Sequence, residues 1–258
     1  MGRISYDFSG KTVVVTGASR GIGYAVAEAF VRAGAKVVIL SSGPEIFEAA
    51  KVLGALGDVV ARQADITDSA AIARAFGDIK TIDILINNAG LERITPLEDP
   101  DDVVEETFRR IIDINVNGTF LVTRHAAAKI PRGGRIILTA SIWSRTAVPE
   151  FSAYVASKHA NLGFMRSIAH ELGVKDINVN AVCPGWVKTG AAMASLSKMS
   201  QSTGRSEADL MDEITGAQVL DGLLEPKDMA TLYLFLASEG AKDITGQAYM
   251  LDRGEVMA

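Results

Sequence analysis

The chain is poor in the residues that cross-link proteins or hold metals. It has one cysteine, Cys183, in 258 residues, which excludes an internal disulfide and any multi-cysteine metal site. Cys183 stands in NAVCPG with no motif around it, and is expected to pack as a small apolar residue. The three histidines, His125, His159 and His170, fall inside predicted helices at no ligand spacing, so no metal is expected. No basic run stands out and the formal net charge is −5, which makes nucleic acid a poor partner. No stretch approaches the ~20 apolar residues of a membrane span, and MGRISYDFSGKTVVV lacks the charged-then-apolar layout of a signal peptide. A cytoplasmic protein without membrane contact is the expectation. Internal repeats, low-complexity segments and linkers are also missing, so residues 1–258 are expected to form one domain.

What is present is apolar material in a regular rhythm. Hydrophobic residues make up 48% and charged residues 22%, enough for a sizeable core. KTVVVT, KVVIL, DVVA, IDILI, RIILT and INVNAV are short and rich in Val and Ile. Each is followed by a helix-like stretch or a glycine-rich turn. This predicts an α/β fold: a doubly wound parallel sheet with helices on both faces, to which QAYML supplies a seventh strand. Two stretches break the rhythm, a loop over 91–101 and an insertion over 187–225. Ligands of doubly wound sheets bind beyond the carboxyl ends of the strands, so both stretches are expected over the site.

The first strand runs into TGASRGIG, residues 16–23, where Gly17, Gly21 and Gly23 are spaced GxxxGxG. Between a strand and a helix, glycines let backbone N–H groups and the helix N-terminus meet a pyrophosphate. A dinucleotide is therefore expected here, against Gly17, Ser19, Arg20, Gly21, Ile22 and Gly23. The second strand ends in Leu40, Ser41 and Ser42 with no acid before Glu45. An acid there would favour NAD, whereas Arg20, Ser41 and Ser42 can hold a 2′-phosphate, so the reading leans to NADP. The alternative makes Arg20 a surface charge and the serines helix caps. Asp65, followed by Ile66, bonds either an adenine amino group or its own turn. Asn88, Ala89 and Gly90 in NNAG either stitch strands beside a cofactor ring or form a plain turn. Asn115 interrupts the apolar-periodic helix RRIIDINVNGTFLV, as a satisfied structural group or as a holder of ordered water. Ser141 ends the strand-like RIILTA thirteen residues before Tyr154, and Lys158 follows Tyr154 by four, on the same helix face.

In this order and spacing, TGASRGIG, Asp65, NNAG, Asn115, Ser141, Tyr154 with Lys158, and the CPG of 183–185 resemble the short-chain dehydrogenase/reductase family over essentially the whole chain. The resemblance implies a Rossmann-like seven-stranded fold that binds NAD(P). It implies Tyr154 as general acid or base, Lys158 favouring the phenolate and bonding the nicotinamide ribose, and Ser141 orienting the substrate oxygen. Asn115 would hold a water in a proton relay. Pro184, Gly185, Val187 and Thr189 would complete the cofactor contacts, with 187–225 as a substrate lid containing the Ser/Glu-led helix SEADLMDEITGA. A homotetramer, or a dimer, built on helices 102–129 and 152–173, is the family's assembly.

For the substrate, the family places contacts at positions held here by Glu92, Arg93, Trp143, Arg145, Glu150 and Trp186, beside Ser141 and Tyr154. CPGWVKT and the lid length are similar to the hydroxybutyrate dehydrogenases. The polar residues that hold a carboxylate in that group correspond to Trp143 and Phe151, which argues against a 3-hydroxy acid. NNAGLE is similar to the glucose 1-dehydrogenases, where a Glu also follows NNAG, so a sugar or polyol is expected. An acyl-chain or cyclic-ketone reductase is the alternative, and a catalytically inactive dinucleotide sensor is the alternative of another class. Finally, Arg253 stands where many members have the middle glycine of a DGG turn, so altered geometry is expected at that turn.

Overall fold

The structure is a computed structural model that describes residues 4–257. Seven parallel strands form one sheet: β1 (Thr12–Thr16), β2 (Lys36–Ser41), β3 (Val59–Gln63), β4 (Ile84–Asn87), β5 (Arg135–Thr139), β6 (Asn178–Pro184) and β7 (Ala248–Leu251), in the order β3-β2-β1-β4-β5-β6-β7. The order reverses between β1 and β4, and there the chain leaves adjacent strands toward opposite faces and opens a crevice. Between strands run α1 (Gly21–Arg32), α2 (Glu45–Gly54), α3 (Ser69–Phe76), α4 (Asp102–Ile112), α5 (Thr119–Ala127), α6 (Ser152–Gly173) and α9 (Pro226–Ala237). The insertion carries α7 (Gly190–Thr203) and α8 (Glu207–Gly216).

Successive strand side chains point to opposite faces, so each apolar run feeds two cores. Val14, Val38, Leu85, Ile136 and Val179 pack with Ile72 and Phe76 of α3, Val122 of α5 and Met165 of α6. Their neighbours Val13, Val15, Ile39, Ile86 and Val182 pack with Phe30 of α1, Ile46 and Leu53 of α2, and Tyr233 of α9. A third, smaller cluster of Ile142, Trp143 and Phe151 lies beyond the end of β5.

The long helix read over Asn115 is unbroken from Asp102 to Ala127, but its middle is not α-helical. α4 passes into a π-helical segment, Asp113–Gly118, before α5 begins. A π-segment widens the helix and re-aims side chains, and here it turns Asn115 inward to complete burial.

Two glycines of the first loop are required by close approach. Gly17 has φ of 65°, and a Cβ on it would lie 2.7 Å from Cα of Ala89. A Cβ on Gly23 would collide with the Gly17 carbonyl and the Asn88 amide. Gly23→Ala should therefore lower stability by about 1–3 kcal/mol and weaken dinucleotide binding. Gly54→Ala, where nothing lies within 4 Å, should gain about 0.5–1 kcal/mol. Thermal melts of both variants and a dinucleotide titration of the first check this pair.

Candidate active site

The site forms around the crevice between β1 and β4. Asn88, just past β4, donates from Nδ2 to the carbonyls of Thr16 (3.1 Å) and Gly17 (3.2 Å). Its Oδ1 accepts from Thr139 Oγ1 of β5 at 3.1 Å. Thr16 Oγ1 accepts from the backbone N–H groups of Asn88 and Ala89, each at 3.0 Å. One amide thus joins three strands at their carboxyl ends, so NNAG is a stitch rather than a plain turn. Beside it, Asn115 Oδ1 accepts from Leu91 N–H (2.7 Å), and its Nδ2 donates to the Leu91 carbonyl (2.9 Å) and Ser157 Oγ (2.9 Å). Both amide protons of Asn115 are thus committed within the protein.

Ser141 follows β5 as the N-cap of a 3₁₀ turn, Ile142–Ser144, and its Oγ accepts from Trp143 N–H at 3.2 Å. Tyr154 and Lys158 occupy the first turns of α6. That helix is started from outside, where Thr95 Oγ1 accepts from Ala153 N–H at 3.1 Å. Lys158 is 3% exposed. Its ammonium donates to the Thr139 carbonyl at 2.8 Å and lies 5.4 Å from the centroid of the Tyr154 ring.

Burial dominates the electrostatics. It pushes the Tyr154 phenol well above its ordinary value, with the negative Glu92 adding to the rise and the Ser141 hydroxyl opposing it. Burial also lowers Lys158 to about 8, against the pull of Glu92. Glu92 itself is raised by burial, opposed by Ser195 of α7 and by the charges of Lys158 and Arg93. The Cys183 thiol, buried under the site, is pushed up to about 11 by the same desolvation. The tyrosine is held neutral, as a proton donor must be, beside a cation that can stabilise the anion it leaves.

The cleft is about 450 Å³ and runs from the glycine loop to this group. Along its walls lie Gly17, Ser19, Arg20, Gly21, Ile22, Ser41, Ser42, Asp65, Ile66, Asn88, Ala89 and Gly90. Ser141, Trp143, Tyr154, Lys158, Pro184, Gly185, Trp186, Val187, Thr189 and Glu92 line it as well. These residue types fit a dinucleotide, since Gly17 and Gly21 line the cleft with bare backbone at the N-terminus of α1.

Several sequence expectations are corrected. Gly23 does not line the cleft and serves instead as a packing glycine under the loop. Arg93 points outward and bonds the Glu92 carbonyl, and Arg145 is drawn to the Ala248 carbonyl. Glu150 sits in a left-handed turn, φ 65°, with its carboxylate toward Ser202 at 3.5 Å. None of the three lines the cleft. Phe151 is buried against Trp143, ring centroids 5.0 Å apart. Asp65 keeps its place in the cleft wall and also makes turn bonds. Oδ1 accepts from Thr67 N–H and Oγ1, and Oδ2 pairs with Arg110 at 2.9 Å. These bonds outweigh the upward pull of burial and hold its carboxyl below the ordinary value. At the C-terminal turn, where the sequence predicts altered geometry, Arg253 takes a left-handed backbone, φ 58°, the region a glycine adopts freely.

Sequence reasoning missed Arg110, Ile114 and Glu45 as cleft residues. Arg110 reaches the wall from α4, 45 positions from Asp65, and no local pattern marks it. Glu45 had a signal, being the first acid after β2, and its carboxylate folds back over Gly43.

The match to known proteins extends along nearly the whole chain. A family model described as enoyl-(acyl carrier protein) reductase matches residues 17–255. The chain belongs to the short-chain dehydrogenase/reductase family. It is an NAD(P)-dependent oxidoreductase acting on CH–OH groups. Oxidoreductase UcpA of Salmonella typhimurium is 36% identical over 257 residues, covering 96% of this chain and 95% of that one. L-Sorbose reductase from Gluconobacter frateurii, complexed with NADPH and L-sorbose, superposes with a TM-score of 0.88 at 26% identity, covering 98% of each chain. A 3-oxoacyl-[acyl-carrier protein] reductase with bound NAD from Brucella melitensis gives 0.87 at 28% identity, covering 99% of this chain and 95% of that one. Among the described residues no helix is long and apolar enough to cross a membrane, and no cluster of three or more His, Cys, Asp or Glu forms a metal site.

The buried lysine yields a pH prediction. Its folded value, about 8, lies below the ordinary 10.5. Below pH ~8 the ammonium is buried at a cost, and the cost fades as pH rises toward ~10.5, because the unfolded chain alone binds the proton in that window. Lys158→Met should abolish turnover yet raise stability at pH 7 by about 1–3 kcal/mol, with the gain shrinking above pH 8. Denaturant melts at pH 7 and pH 10 measure it, and no gain at pH 7 would mean that the ammonium's contacts offset its burial.

Proposed function

We propose that the protein interconverts a polyhydroxylated carbonyl compound and its alcohol, a sugar or polyol, using NADP(H). The observation that carries this reading is Glu92. A desolvated carboxylate in the wall beside Tyr154 and Lys158 is an acceptor for hydroxyls that a hydrocarbon chain would leave unpaired. The likeness to the L-sorbose reductase supports the same class. The dinucleotide, when bound, supplies the hydride or takes it up.

The chain's own residues do the rest. Ser141 donates to the substrate oxygen and stabilises charge developing there. Tyr154 delivers the proton to that oxygen in reduction and removes it in oxidation. Lys158 stabilises the phenolate. Asn115 pins Leu91, and through it the loop that presents Glu92. Trp143 and Trp186, edge to face at 6.2 Å, give the reacting end rigid walls. Residues 187–225 act as the lid, since Thr189 and the start of α7 border the cleft. The exposed Val103, Phe108 and Phe120 of α4 and α5 support assembly through those helices.

Arg20 is exposed, is in no ion pair among the described residues, and lines the cleft with Ser41 and Ser42, which supports a 2′-phosphate. Glu45 on the same wall favours the second reading, NAD. Arg20→Ala should weaken NADPH at least about tenfold and NADH less than about threefold. Fluorescence titration of both cofactors separates the readings, and equal losses would favour NAD.

Glu92→Gln should raise KM for the best substrate of a sugar and polyol panel by about tenfold or more, with little change in melting temperature. Removing its charge also relieves the Tyr154 phenol, so the pH profile for oxidation should move to lower pH. An unchanged KM across the panel would set aside the sugar reading.

A further inference from the structure

The last strand ends in Leu251, Asp252, Arg253 and Gly254. Arg253 holds its backbone at φ 58°, a left-handed conformation that glycine takes freely and other residues take at a cost. Every group of this residue that finds a partner finds it in one segment. Its carbonyl accepts the N–H groups of Val219 and Leu220, each at 3.0 Å. Its guanidinium donates from Nη1 to the Asp221 carbonyl at 2.7 Å and from Nη2 to the Leu223 carbonyl at 3.4 Å. Arg253 enters no ion pair among the described residues. A planar fork can serve two backbone carbonyls at once, where an ammonium is a single point charge.

That segment has no helix or strand of its own and brings the chain back from α8 to the cleft. It continues directly into the cleft wall. Leu224 forms a parallel bridge with Val187. Lys188 N–H donates to the Leu224 carbonyl at 2.8 Å, and Leu224 N–H to the Trp186 carbonyl at 3.4 Å. Trp186, Val187 and Thr189 line the cleft. On the other side, Gly185 N–H donates to the Leu251 carbonyl at 3.1 Å. The end of β7 therefore grips both the exit of β6 and the return of the lid.

We infer that Arg253 is a positioning residue for the lid: it ties the return segment 219–223 to the end of β7 and so sets where Trp186–Thr189 stands over the cleft. This rests on the reading of 187–225 as the lid. The arginine accepts an unfavourable backbone because its side chain reaches carbonyls that a glycine would leave to solvent.

Arg253→Gly separates this role from a structural one, since glycine relieves the backbone while removing the fork. The full-length protein and this variant are compared by hydrogen exchange, melting, NADPH titration and steady-state kinetics on the best sugar of the panel. The expected result is exchange over 187–224 faster by at least about tenfold. KM for substrate or the NADPH dissociation constant should rise about threefold or more with kcat little changed, and melting temperature should be unchanged or higher. Arg253→Lys should restore part of the loss. Unchanged exchange over 187–224 would overturn the tie itself. Faster exchange with unchanged KM and NADPH affinity would leave the tie standing and overturn the lid reading, and with it the positioning role.

Discussion

The hydrogen bonds of Asn88 are the constraint on which the site depends. Parallel strands diverge toward opposite faces at the switch point, so their carboxyl ends present unpaired carbonyls beside a crevice. Asn88 answers this from one position, donating to Thr16 and Gly17 at the end of β1 and accepting from Thr139 at the end of β5. Thr139 then serves twice more. Its hydroxyl meets the Tyr233 hydroxyl at 2.7 Å, and its carbonyl holds the Lys158 ammonium. The glycine loop, the sheet, α9 and α6 are thus joined through two residues, Asn88 and Thr139. The crowding that makes Gly17 and Gly23 necessary arises at the same place, where Ala89 and Asn88 press on the loop.

On that frame the protein holds an arrangement that is unfavourable by itself. Lys158 is buried and Tyr154 and Glu92 are half-buried beside it, and desolvation drives each of the three toward its neutral form. Mutual attraction between Glu92 and Lys158 opposes this, while Glu92 makes the phenol harder to ionise. The balance leaves a neutral acid next to a cation whose proton is loosely held, which suits a group that must give and regain a proton. The stability forgone here is supplied by the two apolar layers on either face of the sheet.

Much of this was legible in the residues. Short continuous apolar runs with helical stretches between them specify a parallel sheet covered on both faces, and all seven strands appear where the runs lie. Ser141, Tyr154 and Lys158 carry their geometry locally, since a strand end and an i, i+4 helix pair need no long-range information. The charged residues between them did not. Arg145 and Glu150 read as substrate contacts by position, but one is claimed by the Ala248 carbonyl and the other by a left-handed turn. A long flexible side chain goes to the nearest unsatisfied backbone group, and sequence does not say which one that is.

The sequence by itself determined the family and the reaction class, because the motifs that carry them rest on spacing within one or two adjacent elements. Only the tertiary structure decided that Asn115 is spent on Leu91, that Arg110 closes the cleft against Asp65, and that Glu92 stands desolvated beside the reacting pair. It also decided that Arg253, a departure from the family's turn, grips the return of the insertion. Each of these joins positions far apart in the chain, and burial and hydrogen-bond partnership exist only once the sheet has brought those positions together.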